Sequence, residues 1–171
     1  MTPHPLRLAR HLGRDVPETL AARLLAEARF ADRIATLFPE GEPLGDPDAR
    51  IAAMDMTALD RLALRAGAVI HADRLLREIR GPVIADWTAR FGADALALAR
   101  AHADLALARP ETALAEEDGR ACLGAWIAAL PPAAKARLSL LWPDEDAVPT
   151  PGDAVFRDHG PVVIRRLAEA V

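Results

Sequence analysis

The chain has 171 residues, a formal net charge of −4, 51% hydrophobic residues and 27% charged residues. That size and balance describe a globular chain able to bury its own core, not a disordered one. The negative charge excludes nucleic acid or an anionic membrane as the main partner, because both demand a basic field.

The hydrophobic fraction is mostly Ala and Leu, there is no Tyr, and aromatics make up 4%. Packed helices use that mixture, whereas sheets draw on β-branched and aromatic residues. The fold class read from the sequence is all-α, a single domain over 1–171 around a central buried helix at about 59–80. The lone Cys122 excludes an internal disulfide framework and fits a reducing compartment. The N-terminal MTPHPLRLARHLGR lacks the apolar run of a secretory signal, and no uncharged run approaches the length of a membrane span. The expected location is cytoplasmic.

In chain order, Pro5 to Leu12 reads as a short helix stopped by Gly13. Asp15 offers a cap, and Pro17 sits where a first helical turn tolerates it. Leu20, Leu24, Ala28, Ala31, Ile34 and Phe38 then recur at three- and four-residue spacing, predicting one amphipathic helix up to Pro39. PEGEPLGDPD (39–48) is a loop, and Ala49 to Asp55 a brief helix. Thr57 followed by Asp60 resembles a capping box opening the central helix.

That helix, Leu59 to Gly81, places Asp60, Gly67, His71, Arg74 and Glu78 in one narrow stripe, with apolar residues on both flanks. Gly81-Pro82 ends it and begins another helix that runs to Gly92. Asp94 to Arg109 reads as helix closed by Pro110, and Leu114 to Leu130 as a helix with Cys122 and Trp126 on one face. Pro131-Pro132 starts a short basic helix ending near LSLLWP. A loop spans 143–160, with acidic, proline-rich PDEDAVPTPG (143–152) as its core. The last helix is expected from Pro161 to Ala170.

No catalytic, metal-ligating or cofactor-binding residues are assigned. The five histidines, His4, His11, His71, His102 and His159, lack the short spacing of a zinc site. Ser139 is not in a nucleophile elbow, so Asp158-His159 has no nucleophile to serve, and no phosphate-cradling glycine loop occurs. His71 with Asp60, Arg74 and Glu78 can be drawn as an acid–base constellation. The better reading is a partly buried histidine held by helix-surface hydrogen bonds and ion pairs. Gly67 in mid-helix costs about 1 kcal/mol relative to Ala, and its expected return is the close approach of another helix, with a hinge as the alternative. Asp144, Glu145 and Asp146 read as a solvated acidic loop, with binding of a cation or of a basic partner surface as the alternative. Trp142 reads either as an interface anchor or as a side chain closing over the core.

Two stretches carry a family resemblance. RAGAVIHADRLLR (65–77), with Gly67 and His71, resembles the R-L-G-x-V-x-H-G-x-x-[IL]-R-R segment of the YscK/SctK family. LGAWIAALP (123–131), with Trp126, followed by RLSLLWP (137–143), is similar to that family's W-L-A-x-[LM]-[PE] and R-L-x-L-x-[LP]-P ending. Ala72 stands where the family usually has glycine, and the N-terminal part is shorter than typical. The resemblance implies a non-enzymatic, cytoplasmic adaptor of the type III secretion sorting platform, peripheral to the inner membrane. Its implied partners are the inner-membrane ring protein SctD and the C-ring-like SctQ, and through SctL the export ATPase SctN. The candidate partner-facing residues are Arg74, Arg77, Trp142, Asp144 and Glu145. The alternatives are a small helical enzyme built on His71 and a helical chaperone or effector-binding module.

Overall fold

The computed structural model describes residues 2–13, 16–37 and 43–169. Among them the fold is all-α. The chain forms two compact units, Met1–Asp55 with Leu130–Val148, and Met56–Ala129 with Pro149–Val171.

In the first unit, α1 (Pro5–Leu12) begins with Pro5, whose missing N–H costs nothing in a first turn. His4 caps it, with Nδ1 accepting from the Leu6 N–H at 3.2 Å. Leu8, Ala9 and Ala21 form a small core, with Val16, Leu24, Leu25 and Ile34 packed against it. This core explains why the single helix expected up to Pro39 is broken. The chain runs as α2 (Glu18–Ala26), an extended Glu27, a 3-10 turn at Ala28–Phe30 and α3 (Ala31–Thr36). A straight helix would set Ala21 and Ile34 about 20 Å apart, too far for both to reach the two-turn α1. Asp15, expected as a cap, and Phe38 lie outside the described residues, as do 39–42 of the expected loop. The short α4 (Asp48–Ala52) buries Ile51.

The second unit holds α5 (Met56–Ile70), α6 (Ala72–Arg77), α7 (Gly81–Phe91), α8 (Ala95–Ala101) and α9 (Ala115–Ala129). In the first unit, α10 (Pro132–Ser139) leads to Leu140, whose carbonyl accepts from the His4 N–H at 2.8 Å. The final α11 (Ala154–Glu169) belongs to the second unit, where α5, α9 and α11 pack on one another. The expectation of a close approach at Gly67 holds. A Cβ on Gly67 would run into the carbonyl of Ala115, and one on Gly119 into the carbonyl of Ala63. Two facing glycines let α5 and α9 cross backbone to backbone, which pays for their low helix propensity.

Three expected boundaries are corrected. The central helix is not one rod: it turns at His71 (φ −94°, ψ 20°), and α6 ends at an extended Glu78. It also starts at Met56, so Thr57 lies inside its first turn and does not cap it. The helix expected over 94–109 stops at Ala101, followed by a 3-10 turn at Ala103–Leu105. The turn at His71 leaves the Ile70 carbonyl at a helix end, and the Leu107 N–H satisfies it at 3.0 Å. His159 Nε2 lies 2.8 Å from the Leu105 carbonyl, and these two ties hold the segment extended.

The third correction concerns the loop expected over 143–160, which ends at Asp153, because α11 starts at Ala154 and carries Pro161 inside it. An interior proline costs a helix about 3 kcal/mol. Burying Phe156, which lies before it and is 1% exposed, returns a similar amount, about 1.5–3 kcal/mol.

Candidate functional site

The polar centre of the second unit is built on the turn between α5 and α6. His71 is 3% exposed, and its Nε2 lies 2.8 Å from Asp118 Oδ2 on α9. Arg109, on the extended segment before α9, donates to both carboxylate oxygens of Asp118, from Nε at 2.8 Å and from Nη2 at 2.9 Å. The same guanidinium reaches Asp153 Oδ2 at 3.3 Å and stacks over the Phe156 ring, 5.0 Å from its centroid. Its hydrogen bonds to Asp118 first, and its charge interaction with Asp118 and Asp153, raise the Arg109 pKa above the usual arginine value. A planar fork matched to a carboxylate is the arrangement for which arginine is suited and lysine is not.

The network ties four pieces of chain together: the α5–α6 turn, the segment at Arg109, α9, and the start of α11. Sequence reasoning read His71 as partly buried and held by partners on its own helix surface; it is instead buried, with its partner Asp118 on α9, and Asp118, Arg109 and Asp153 were missed. Asp118 follows Glu116 and Glu117 and looks like one more acid in a helix first turn. A signal was present. Asp118 shares a helical face with Ala115, Cys122 and Trp126, all buried, and an acid on an apolar stripe requires a partner.

The stripe read from the helical wheel does not converge. Arg74 donates to the backbone carbonyl of Glu111 at 3.0 Å. Glu78 pairs with Arg80, and Asp60 lies exposed, 11 residues from His71 and about 16 Å along the axis.

Beside the network lies a groove of about 730 Å³, with His71 and Arg109 among its lining residues. Arg74, Arg77 and Arg80 line it together with Leu107 and Glu111. At its edge, Glu78 organises the turn into α7. Its Oε1 accepts from the N–H groups of Ile79 (3.0 Å) and Arg80 (2.8 Å), and both carboxylate oxygens accept from the Arg80 guanidinium at 2.8 and 2.6 Å. The Arg80 side chain foremost, then the backbone N–H groups, hold the Glu78 pKa at about 2.

The remaining candidates lie elsewhere. Trp126 is fully buried on α9. In the first unit Trp142 is 6% exposed, and its carbonyl accepts from Arg7 Nε at 3.1 Å. Asp144 accepts from the Ala147 N–H at 2.9 Å, forming a local turn, and Glu145 is exposed beside it. Cys122 is buried, and burial foremost, with the Asp118 charge, pushes its thiol up to about 12. Such a thiol is no nucleophile at neutral pH.

Over 159 residues the sequence is 33% identical to nodulation protein NolU of Rhizobium fredii, covering 86% of this chain and 74% of that protein. The chain belongs to the family of nodulation protein NolU. NolU of Sinorhizobium fredii strain NBRC 101917 / NGR234 matches with the same identity and coverage. No family model matches the sequence, and no solved structure does. The likeness to NolU thus extends over most of the chain. Among the described residues, no helix is long and apolar enough to cross a membrane.

Proposed function

We propose that the protein is a non-enzymatic structural adaptor of the YscK/SctK type in the cytoplasmic sorting platform of a type III secretion system. It links the inner-membrane ring protein SctD to the pod protein SctQ, and through SctL to the export ATPase SctN. The observation that carries this reading is the pair of motif stretches, 65–77 and 123–143, in the family's order and spacing. The relatives' name, nodulation protein, fits a system through which a bacterium addresses its host.

The chemistry of the polar centre supports a scaffold role. His71 Nε2 is engaged by Asp118, Asp118 is engaged by Arg109, and the motif residues Gly67 and Trp126 serve packing. An adaptor needs rigid elements and surface anchors, not a reactive side chain. The test is a clean deletion: secretion and pod assembly should be lost while the membrane rings remain, and normal secretion refutes the reading.

One observation favours the enzyme alternative, namely the groove beside His71. The two readings part on His71→Asn. Loss of folded stability matched by loss of secretion fits a scaffold. A fully stable variant that alone loses a chemical activity fits an enzyme.

A further inference from the structure

We infer that the turn between α6 and α7 is a preformed docking point, in which Ile79 enters an apolar pocket of a partner protein and Arg77 meets a carboxylate at the lip of that pocket. The proposal rests on the adaptor reading and names a surface and a partner chemistry for it.

Ile79 is 91% exposed. Single exposed apolar side chains are common and carry no message by themselves. What sets Ile79 apart is how firmly it is held out. Its own N–H and that of Arg80 both donate to Glu78 Oε1, and the Arg80 guanidinium closes over the same carboxylate. Four charge-assisted hydrogen bonds thus fix a three-residue turn whose middle side chain touches almost nothing. A free turn would relax an isoleucine toward the surface. Fixing it beforehand removes the ordering cost that binding otherwise carries, which is the physical content of preorganisation.

The local charge selects the partner. Glu78 and Arg80 cancel each other, and Arg109 is matched by Asp118 and Asp153. Arg74 spends its hydrogen bond on a neutral carbonyl of Glu111. Arg77 is exposed, two residues from Ile79, and among the described residues it forms no ion pair, not even with Asp73 one turn earlier on α6. Asp73 and Glu111 also border the groove, but among the described charges that form no ion pair Arg77 is the one nearest to Ile79 along the chain. Arginine is enriched at interface hot spots, and a charge pair beside the apolar contact would fix its register and select the partner. A bilayer fits poorly: the turn offers one apolar side chain, and membrane-lying helices need a broad apolar face.

The test is site-specific photo-crosslinking from position 79 in the full chain, in cells that make the protein natively, with positions 20 and 162 as exposed controls. Support is an adduct at 79 to a protein segment carrying Asp or Glu. Its yield should fall at least about tenfold in Arg77→Glu and recover when the partner's acid is changed to Lys. The far-ultraviolet spectrum verifies that Arg77→Glu is folded. A lipid adduct, a segment without carboxylates, or indifference to Arg77→Glu overturns the proposal. Adducts at 20 or 162 with none at 79 also overturn it, while leaving the adaptor reading intact. No protein adduct at any of the three positions counts against both.

Discussion

Asp118→Asn tests whether the buried network holds the second unit together. The carboxylate accepts three N–H groups, one from His71 and two from Arg109, at 2.8–2.9 Å. Asparagine keeps one oxygen and replaces the other with an NH₂, which would face a donor. At least one charge-assisted hydrogen bond is lost, about 1.5–3 kcal/mol. Arg109 is left with Asp153, whose side chain is 69% exposed and worth little as a partner. Together with the general cost of breaking a buried pair, the loss should be about 3 kcal/mol. For a chain of this size that is roughly 6–12 °C in melting temperature. Urea unfolding followed by tryptophan fluorescence measures it, and a double-mutant cycle with Arg109→Met should give a coupling above about 1 kcal/mol. A loss below about 1 kcal/mol for Asp118→Asn would refute the reasoning, because the network would then be decoration on a core stable without it.

Gly67→Ala should destabilise by up to about 2 kcal/mol: overpacking against the Ala115 carbonyl, about 1–3 kcal/mol, outweighs the gain of about 1 kcal/mol in helix propensity. A stabilised variant in thermal unfolding would show that α5 and α9 can separate freely. Cys122 should resist thiol reagents in the native state and react once unfolded in guanidinium. Its folded pKa, about 12, lies above the ordinary thiol value of 9.0. That contribution is therefore fully present below pH 9 and is lost as pH rises toward 12, with a slope of up to about 1.4 kcal/mol per pH unit. Cys122→Ala should lack that slope. Glu78 should titrate with a midpoint near 2 by NMR, and Arg80→Ala should move the midpoint back toward 4.5, since the depression comes chiefly from that guanidinium. Because the folded pKa is depressed, the clamp's contribution is present above about pH 4.5 and disappears as pH falls through about 2.

Much of the helical layout was legible from local rules. Pro5, Gly81-Pro82 and Pro131-Pro132 mark helix starts that the structure keeps at α1, α7 and α10. Ala115–Ala129 follows from periodicity and its acidic first turn. Gly67 signalled a close approach because a mid-helix glycine carries a cost that only packing offsets.

What the sequence determined by itself was composition, helix punctuation and which faces are apolar, since these depend on residues within a turn or two of each other. Only the tertiary structure decided the rest. The turn at His71, the break at Glu27 and the helix that runs through Pro161 each accept a local penalty for a distant contact. Those contacts are Asp118 for His71, the α1 core for the break at Glu27, and the buried Phe156 for α11. Asp118 and Arg109 lie 47 and 38 residues from His71, so no window along the chain could pair them. A desolvated charge must find its partner in space, and folding alone sets that distance.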